Sequence, residues 1–299
     1  MKSNPPHAVR LRLFDPEKGD LPLQLSPLDA ETLRVPQRSN CFTVVWVRKG
    51  EGVFHPDLAS YSFAGPTLLF ANPYQTIFLV PGFALDGVVL RFHANFLCIE
   101  THHEEVGCNG VLFNDSYGEP QVRVNEVAAS EIETLLGQME REFQSAGLAH
   151  SELLVSLMKI LLIKASRLKL DAMETRDVDP VADRPQSLDR LTALIEENHR
   201  MLHRPADYAP LMSMTPKALG KLVKKHFGKT LTELIRERVL KHAKWQLLHT
   251  LRPVKEIAAE AGFADELYFS RLFKRTTGLS PSGFREFETA IRGGRNLSM

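Results

Sequence analysis

The strongest constraint on this chain lies in its last third, where one pattern of helix starts and stops occurs twice. Thr215-Pro216 opens the first copy, since threonine is a good N-cap and proline is favoured at the first helical position. Lys217–Phe227 then turns Leu219, Leu222, Val223 and Phe227 to one face and Lys217, Lys221, Lys224 and Lys225 to the other. Gly228 suits the left-handed stop. In the second copy Asp265 caps Glu266–Thr277 and Gly278 ends it. Its Phe269, Leu272 and Phe273 face inward, and Arg271, Lys274 and Arg275 face outward. A short helix precedes each copy. Asp207 is read as the cap of Tyr208–Met212, with Pro210 in its first turn, and Pro253 opens Val254–Ala261, ending at Gly262. Between the copies the capping box Thr230-x-x-Glu233 starts a helix running to about Leu248, roughly 27 Å long. A further helix over Leu188–Leu202 precedes the array, and Ser280-Pro281 caps one after it.

A short helix, a tight turn and a longer basic helix make a helix-turn-helix, whose second helix enters the major groove, about 12 Å wide. The two second helices start near 216 and 266, and the long helix between them is of the right order to hold them about one DNA turn, ~34 Å, apart. The charge distribution agrees. Residues 188–299 carry 20 Lys and Arg against 12 Asp and Glu, while residues 1–187 carry 17 against 24. A net of +1 for the whole chain hides a basic, polyanion-facing tail on an acidic N-terminal part.

With 43% hydrophobic and 24% charged residues the 299-residue chain can bury ordinary cores, and its length suits two domains. No apolar run reaches the length of a membrane span, and residues 1–20, a polar, loose lead-in, lack a signal-peptide core. Cys41, Cys98 and Cys108 form no CxxC pair, so reduced thiols and a cytoplasmic setting are expected. From 21 to about 125 short apolar runs alternate with turn signals: CFTVVWV (41–47), TLLFA (67–71), TIFLV (76–80) and GVVLRFH (87–93) read as strands of an antiparallel sandwich or barrel. Apolar spacing then becomes helical over 126–146, through Val127, Ile132, Leu135, Leu136, Met139 and Phe143, and again over 151–169. These two form a helical hairpin, 126–170, closing an N-terminal domain over 21–170. Residues 171–187, acidic with two prolines, read as a linker to the domain at 188–299.

The stretch Ile257-Ala258, Gly262-Phe263, Tyr268-Phe269-Ser270-Arg271-Leu272-Phe273-Lys274, Gly278, Ser280-Pro281, Phe284-Arg285 resembles the DNA-binding domain of AraC/XylS-type transcription regulators over about 100 residues, 188–287. The N-terminal half is a looser match to the cupin-like domains of such proteins, resting on the strand pattern, Gly50-x-Gly52 and Asn72-Pro73-Tyr74-Gln75. The resemblance implies a multidomain α+β chain: a cupin-like β-barrel with a helical hairpin, then an all-α domain with two helix-turn-helix motifs, about 207–227 and 254–277. It implies double-stranded promoter DNA and RNA polymerase as partners, a small-molecule effector of unknown identity, a homodimer through the hairpin, and activation more often than repression. Two positions depart from the family's pattern. Met212-Ser213-Met214 replaces the glycine of the first turn, and Gly220 stands on the first recognition helix where a larger polar side chain is usual. The first unit is therefore expected to read fewer bases than the second.

The resemblance carries DNA contact to Thr215, Lys217, Gly220, Lys221 and Lys224 in the first unit. In the second it carries contact to Glu266, Leu267, Tyr268, Arg271 and Lys274. Lys217 and Lys221 can donate to guanine O6/N7 or phosphate, Glu266 can accept from cytosine N4 or simply favour its helix start, and Tyr268 can meet a thymine methyl. Arg238, Trp245 and Arg285 are read as holding helices together. In the N-terminal part Trp46, Phe54, Phe70, Tyr74 and Phe92 either line a ligand pocket or are plain core. No metal or cofactor is expected. His102-His103-Glu104-Glu105 reads as a polar loop, because neighbours on a strand point apart, and His199 and His203, four apart, lack a third ligand nearby. No GxSxG, HExxH or P-loop pattern occurs, so the chain is not expected to be an enzyme. A constitutive DNA binder with an inert barrel and a cupin-type enzyme with a regulatory tail are the alternative readings.

Overall fold

The computed structural model describes residues 9–82, 84–97, 111–113, 117–145, 147–178 and 186–292. The chain divides into two compact units, Met1–Ala182 and Asp183–Met299.

Among its described residues the first unit holds ten strands: β1 (Arg10–Arg12), β2 (Leu23–Pro27), β3 (Gln37–Ser39), β4 (Phe42–Lys49), β5 (Glu51–Pro56), β6 (Tyr61–Ala64), β7 (Thr67–Ala71), β8 (Thr76–Pro81), β9 (Asp86–Phe92) and β10 (Gln121–Arg123). A short helix, α1 (Ala30–Arg34), lies between β2 and β3, and the hairpin helices are α2 (Glu126–Gln144) and α3 (His150–Val178). The strands form two five-stranded sheets, in the orders β1-β3-β8-β5-β6 and β10-β7-β4-β9-β2. The α+β class holds, but the expected barrel is corrected: among the described residues these are two open sheets rather than one closed cylinder.

The β4 sheet is covered on both faces, which explains a strand apolar at nearly every position. Phe42, Val44 and Trp46 join Leu68, Phe70, Leu90 and Phe92 beneath Ile132, Leu135 and Met139 of α2 and Leu154, Met158 and Leu161 of α3. The alternate residues Val45, Val47, Leu69 and Val89 face the other sheet, against Phe54, Phe63, Ile77 and Leu79. Gly50 makes the β4–β5 turn in the left-handed region, φ 100°. A Cβ there would lie 2.4 Å from the Ala84 carbonyl oxygen, so both the φ and the space require glycine.

Two further expectations need correcting. The lead-in is not loose throughout: Arg10–Arg12 pairs in parallel with Gln37–Ser39, and Asp15 caps a 3-10 turn, Pro16–Lys18. The edge strand has no alternating apolar residues, so nothing in the local sequence marks it. The linker is also shorter, because α3 continues to Val178. Residues 171–178 hold few large apolar side chains but contain no breaker, and the first proline is Pro180. In α2, Val127 lies outside the buried stripe, 73% exposed.

A polar clamp fastens α2 to the sheet. Glu133 Oε1 accepts from Trp46 Nε1 at 2.6 Å and from Arg48 Nε at 2.5 Å, and Arg48 reaches Asp86 at 3.2 Å. Trp46 is buried, so Glu133→Ala leaves an indole N–H without a partner and is expected to cost about 1–3 kcal/mol. Glu133→Gln, which keeps an acceptor, should cost less. Urea denaturation followed by tryptophan fluorescence checks the ranking; equal losses would show that the bond to Trp46 is not the anchor.

Candidate nucleic-acid interface

The second unit is helical throughout its described residues: α4 (Gln186–Asn198), α5 (Pro205–Leu211), α6 (Pro216–Phe227), α7 (Leu231–His249), α8 (Val254–Glu260), α9 (Glu266–Thr277) and α10 (Pro281–Ile291). Leu188, Leu191, Ile195, Tyr208, Leu219, Val223, Leu234, Ala243, Leu247, Phe269, Phe273 and Phe284 are buried in it. α5 packs on α6 and α8 on α9, with α7 touching both α6 and α8.

The caps fall where the chemistry of the residues puts them. Thr215 Oγ1 accepts from Ala218 N, Asp265 Oδ1 from Leu267 N, and Ser280 Oγ from Gly283 N. Thr230 and Glu233 form the reciprocal box at the start of α7. Gly228 and Gly278 stop α6 and α9 at φ 65° and 90°. α5 is corrected: it starts at Pro205, so Asp207 lies within its first turn, accepting from Arg204 N at 3.1 Å, and Pro210 lies in its body.

The two motifs match in their bonding. In the first, Met214 N donates to Ala209 O at 2.9 Å across a turn with Ser213 at φ 54°. In the second, Phe263 N donates to Ala258 O at 2.9 Å across a turn with Gly262 at φ 80°. The missing glycine is thus replaced by a serine held in the left-handed region, at a cost of roughly 1–2 kcal/mol. Gly262 has no such latitude, because a Cβ there would lie 2.3 Å from the Arg200 carbonyl oxygen and 2.6 Å from His203 Cε1.

The residues named for DNA contact lie together on the outer faces of α6 and α9. Lys217 and Lys221 are exposed one turn apart, and Lys224, also exposed, donates to its own helix end, Gly228 O, at 2.7 Å. On α9, Leu267 is 71% and Tyr268 51% exposed, while Arg271 and Lys274 stand on the same face. Arg271 lies only 3.8 Å from Asp265, an exposed pair that leaves the guanidinium available. Glu266 is half-buried in the first turn. Thr215 is occupied as a cap, a role its side chain fills without DNA. Nothing crowds Gly220: a Cβ there would meet no atom within 4 Å, so the fold does not require glycine.

Arg238 and Arg285 tie the unit together. Arg238 Nε donates to Glu196 at 2.6 Å, and Arg285 donates to Leu247 O at 3.1 Å and Arg252 O at 2.6 Å. Trp245 differs, stacking on His249 at 4.8 Å and standing 47% exposed. Sequence reasoning missed Glu260 at the end of α8. It meets Arg252, His242 at 3.2 Å and Arg200 at 3.4 Å, so one carboxylate joins α7, α8 and the end of α4. Its i−8 relation to Arg252 gave no local signal. His199 lies beside His242, ring centres 5.7 Å apart, with its Nε2 buried and unbonded, as is that of His203. Burial, aided by Arg238, holds His199 below its ordinary value of 6.5, and burial does the same to His242 against the pull of Glu260. His102-His103-Glu104-Glu105, Cys98 and Cys108 lie outside the described residues.

The five aromatic residues considered for a pocket do not share one space. Trp46, Phe70 and Phe92 belong to the helix-facing core, where Phe70 and Phe92 close edge-on around Phe113 at 5.5 and 6.0 Å. Phe54 lies on the opposite side, between the sheets, and Tyr74 is buried in a turn at φ 66°, its N–H bonded to Ser39 O.

Two helix-turn-helix motifs with matching turns, joined by one long helix, define a double helix-turn-helix DNA-binding domain. Residues 208–286 match the helix-turn-helix domain family. The chain is also 28% identical over 180 residues to the HTH-type transcriptional activator RhaR of Escherichia coli O1:K1 / APEC, spanning 59% of this chain and 61% of that protein. Among solved structures it is similar to ToxT from Vibrio cholerae, 15% identical over 89% of this chain and 97% of that one, with a TM-score of 0.37. Another is the DNA-binding domain of AdpA in complex with a target DNA, 18% identical over 36% of this chain and 97% of that one, with a TM-score of 0.34. Residues 208–286 thus carry a helix-turn-helix domain, and the chain spans about 61% of the length of the curated activators it matches.

Two stability tests follow. Gly220→Ala is expected to raise stability by up to about 1 kcal/mol, since helix propensity improves and no atom is displaced; a loss in urea melts would reveal a contact that the open helix face does not show. His199 and His242 bind protons less readily folded than unfolded, so their contribution is present above pH 6.5 and lost as pH falls through their lowered values. The urea midpoint should fall between pH 7 and pH 5, and less steeply in His242→Gln; a flat profile would contradict it.

Proposed function

We propose that this chain is a sequence-specific transcription regulator that inserts α6 and α9 into successive major grooves on one face of promoter DNA. The carrying observation is geometric: two equal helices of 12 residues, each capped, glycine-stopped and basic on its outer face, are connected through a 19-residue helix. That connector is roughly 28 Å long, close to the ~34 Å between successive grooves. α9 offers Arg271, Tyr268, Leu267 and Glu266 to base edges, whereas α6 offers Lys217 and Lys221 around the bare backbone at Gly220. Activation is the favoured sign, supported by the RhaR relatives, named as transcriptional activators; contact with RNA polymerase goes with that sign. The relatives share only part of their length with this chain, so the sign rests on this reading.

The N-terminal unit is read as the effector-sensing and dimerising part. α3 keeps Leu153 and Ile160, two turns apart, 45% and 42% exposed on the side away from the sheet, a face suited to the same helix of a second copy. Effector binding acts by favouring one arrangement of the paired DNA-binding domains, which requires different effector affinity in the two states. Promoter DNA places the working protein in the cytoplasm; among the described residues no helix is long and apolar enough to cross a membrane.

Footprinting on the operator tests the core of this proposal. Two protected major-groove segments one turn apart are expected for each domain, and protection of a single segment overturns the double insertion. Arg271→Ala should cost about 1–3 kcal/mol on the operator and little on scrambled duplex. Lys274→Ala should weaken both alike and lower the salt slope by about one. Titrations at several salt concentrations separate these, and an unchanged operator affinity for Arg271→Ala removes that residue from the base-reading set.

A further inference from the structure

Between the two sheets of the first unit one end of the interior is not apolar. β9 alternates, and Val89 faces the second sheet within the inter-sheet core, which puts Arg91 on that same inner face. Its neighbour in register on β4 is Thr43, buried, on the same inner face as Val45 and Val47. Arg91 Nη2 reaches across the gap to the second sheet and donates to Gln37 Oε1 on β3, at 3.3 Å. The charges that bear on it from the elements around it are Arg12 of β1, of the same sign, and the Cys41 thiol between β3 and β4; among the described residues no carboxylate pairs with it. Burial with Arg12 alongside pulls its proton affinity down, the mark of a cation without a counter-ion.

A guanidinium is rarely left inward-facing without an anion, because removal from water costs free energy that only a partner returns. Gln37 takes one Nη2 donor, and a guanidinium's remaining N–H groups can bind a carboxylate bidentately. We propose that Arg91, with Gln37, Thr43 and Arg12 around it, forms the recognition site for a small organic carboxylate bound between the sheets of the N-terminal unit. The site rests on the effector-sensing reading given above and supplies its chemical class. The carboxylate lies on the Arg91 edge, and Arg12 adds long-range attraction at the rim.

Two measurements on the full chain test this. The first needs no ligand. Arg91→Met removes an unpaired charge, so the thermal midpoint of the ligand-free protein should stay level or rise; a fall shows that Arg91 is a structural tie to Gln37 and overturns the site. The second is a thermal-shift series with acetate, hexanoate, phenylacetate and succinate at constant ionic strength, with chloride and inorganic phosphate alongside. At least one carboxylate should raise the midpoint saturably, and Arg91→Met should weaken its apparent affinity tenfold or more. No shift from any of the four, a shift retained in Arg91→Met, or an equal response to inorganic phosphate each overturns the proposal. A carboxylate that binds without changing operator affinity leaves the site standing and defeats the effector reading instead.

Discussion

Each helix-turn-helix depends on one backbone residue held at positive φ. The turn after α5 and the turn after α8 both need it, because only a left-handed residue lets the following N–H bond back to the helix it has just left. That bond sets the angle between the two helices, and the angle decides which face of α6 or α9 is buried. With Leu219, Val223 and Phe227 committed to the core, the lysines of α6 have nowhere to stand but outside, and Phe269 and Phe273 do the same for Arg271 and Lys274. The second turn is pinned harder than the first. Gly262 touches the backbone at Arg200, so the turn is keyed to the end of α4 as well as to α8. Ser213 bears its strain locally. The weaker turn and the bare helix at Gly220 fall in the same unit, the one proposed to offer fewer side chains to base edges.

The C-terminal domain was legible in the sequence because its signals are local. A cap and the N–H it accepts from are two or three residues apart, and a glycine stop adjoins the helix it ends. Where the reading slipped, at α5, two acceptable starts lay within three residues, and Pro205 won over Asp207 because it can occupy a first turn without losing a bond. The interactions that lock the array were not legible. Glu260 collects partners from α7, from the segment before α8 and from the turn after α4, and Arg285 reaches carbonyls 33 and 38 residues away.

The N-terminal unit was legible in kind but not in layering. A strand with apolar residues on both faces must be covered twice, and the sequence of β4 does not say by what. The structure supplies a sheet on one side and a helical pair on the other. The five aromatic residues considered for a pocket were chosen for size, and size is what a core selects. The charged residue at an inward position of β9 is the better indicator, because apolar alternation predicts valine or leucine at Arg91 and finds a cation.

The charge asymmetry of the chain takes on a physical meaning once the faces are known. In the C-terminal unit several acids pair with basic side chains away from the outer faces of α6 and α9: Glu196 with Arg238, Glu260 with Arg252, Glu237 with Lys229 at 2.8 Å. The positive excess is therefore displaced onto the outer faces of α6 and α9, where each lysine adds to the field felt by a phosphate backbone. In the N-terminal unit the arrangement at Arg91 is reversed: abundant acid stays on the surface while a cation is kept inside. Apart from Arg12, the charge of this unit does not draw small anions in, so the carboxylate proposed at Arg91 depends chiefly on short-range bonds. On that proposal the site selects for the planar shape of the carboxylate rather than for charge alone, because short-range bonds depend on geometry.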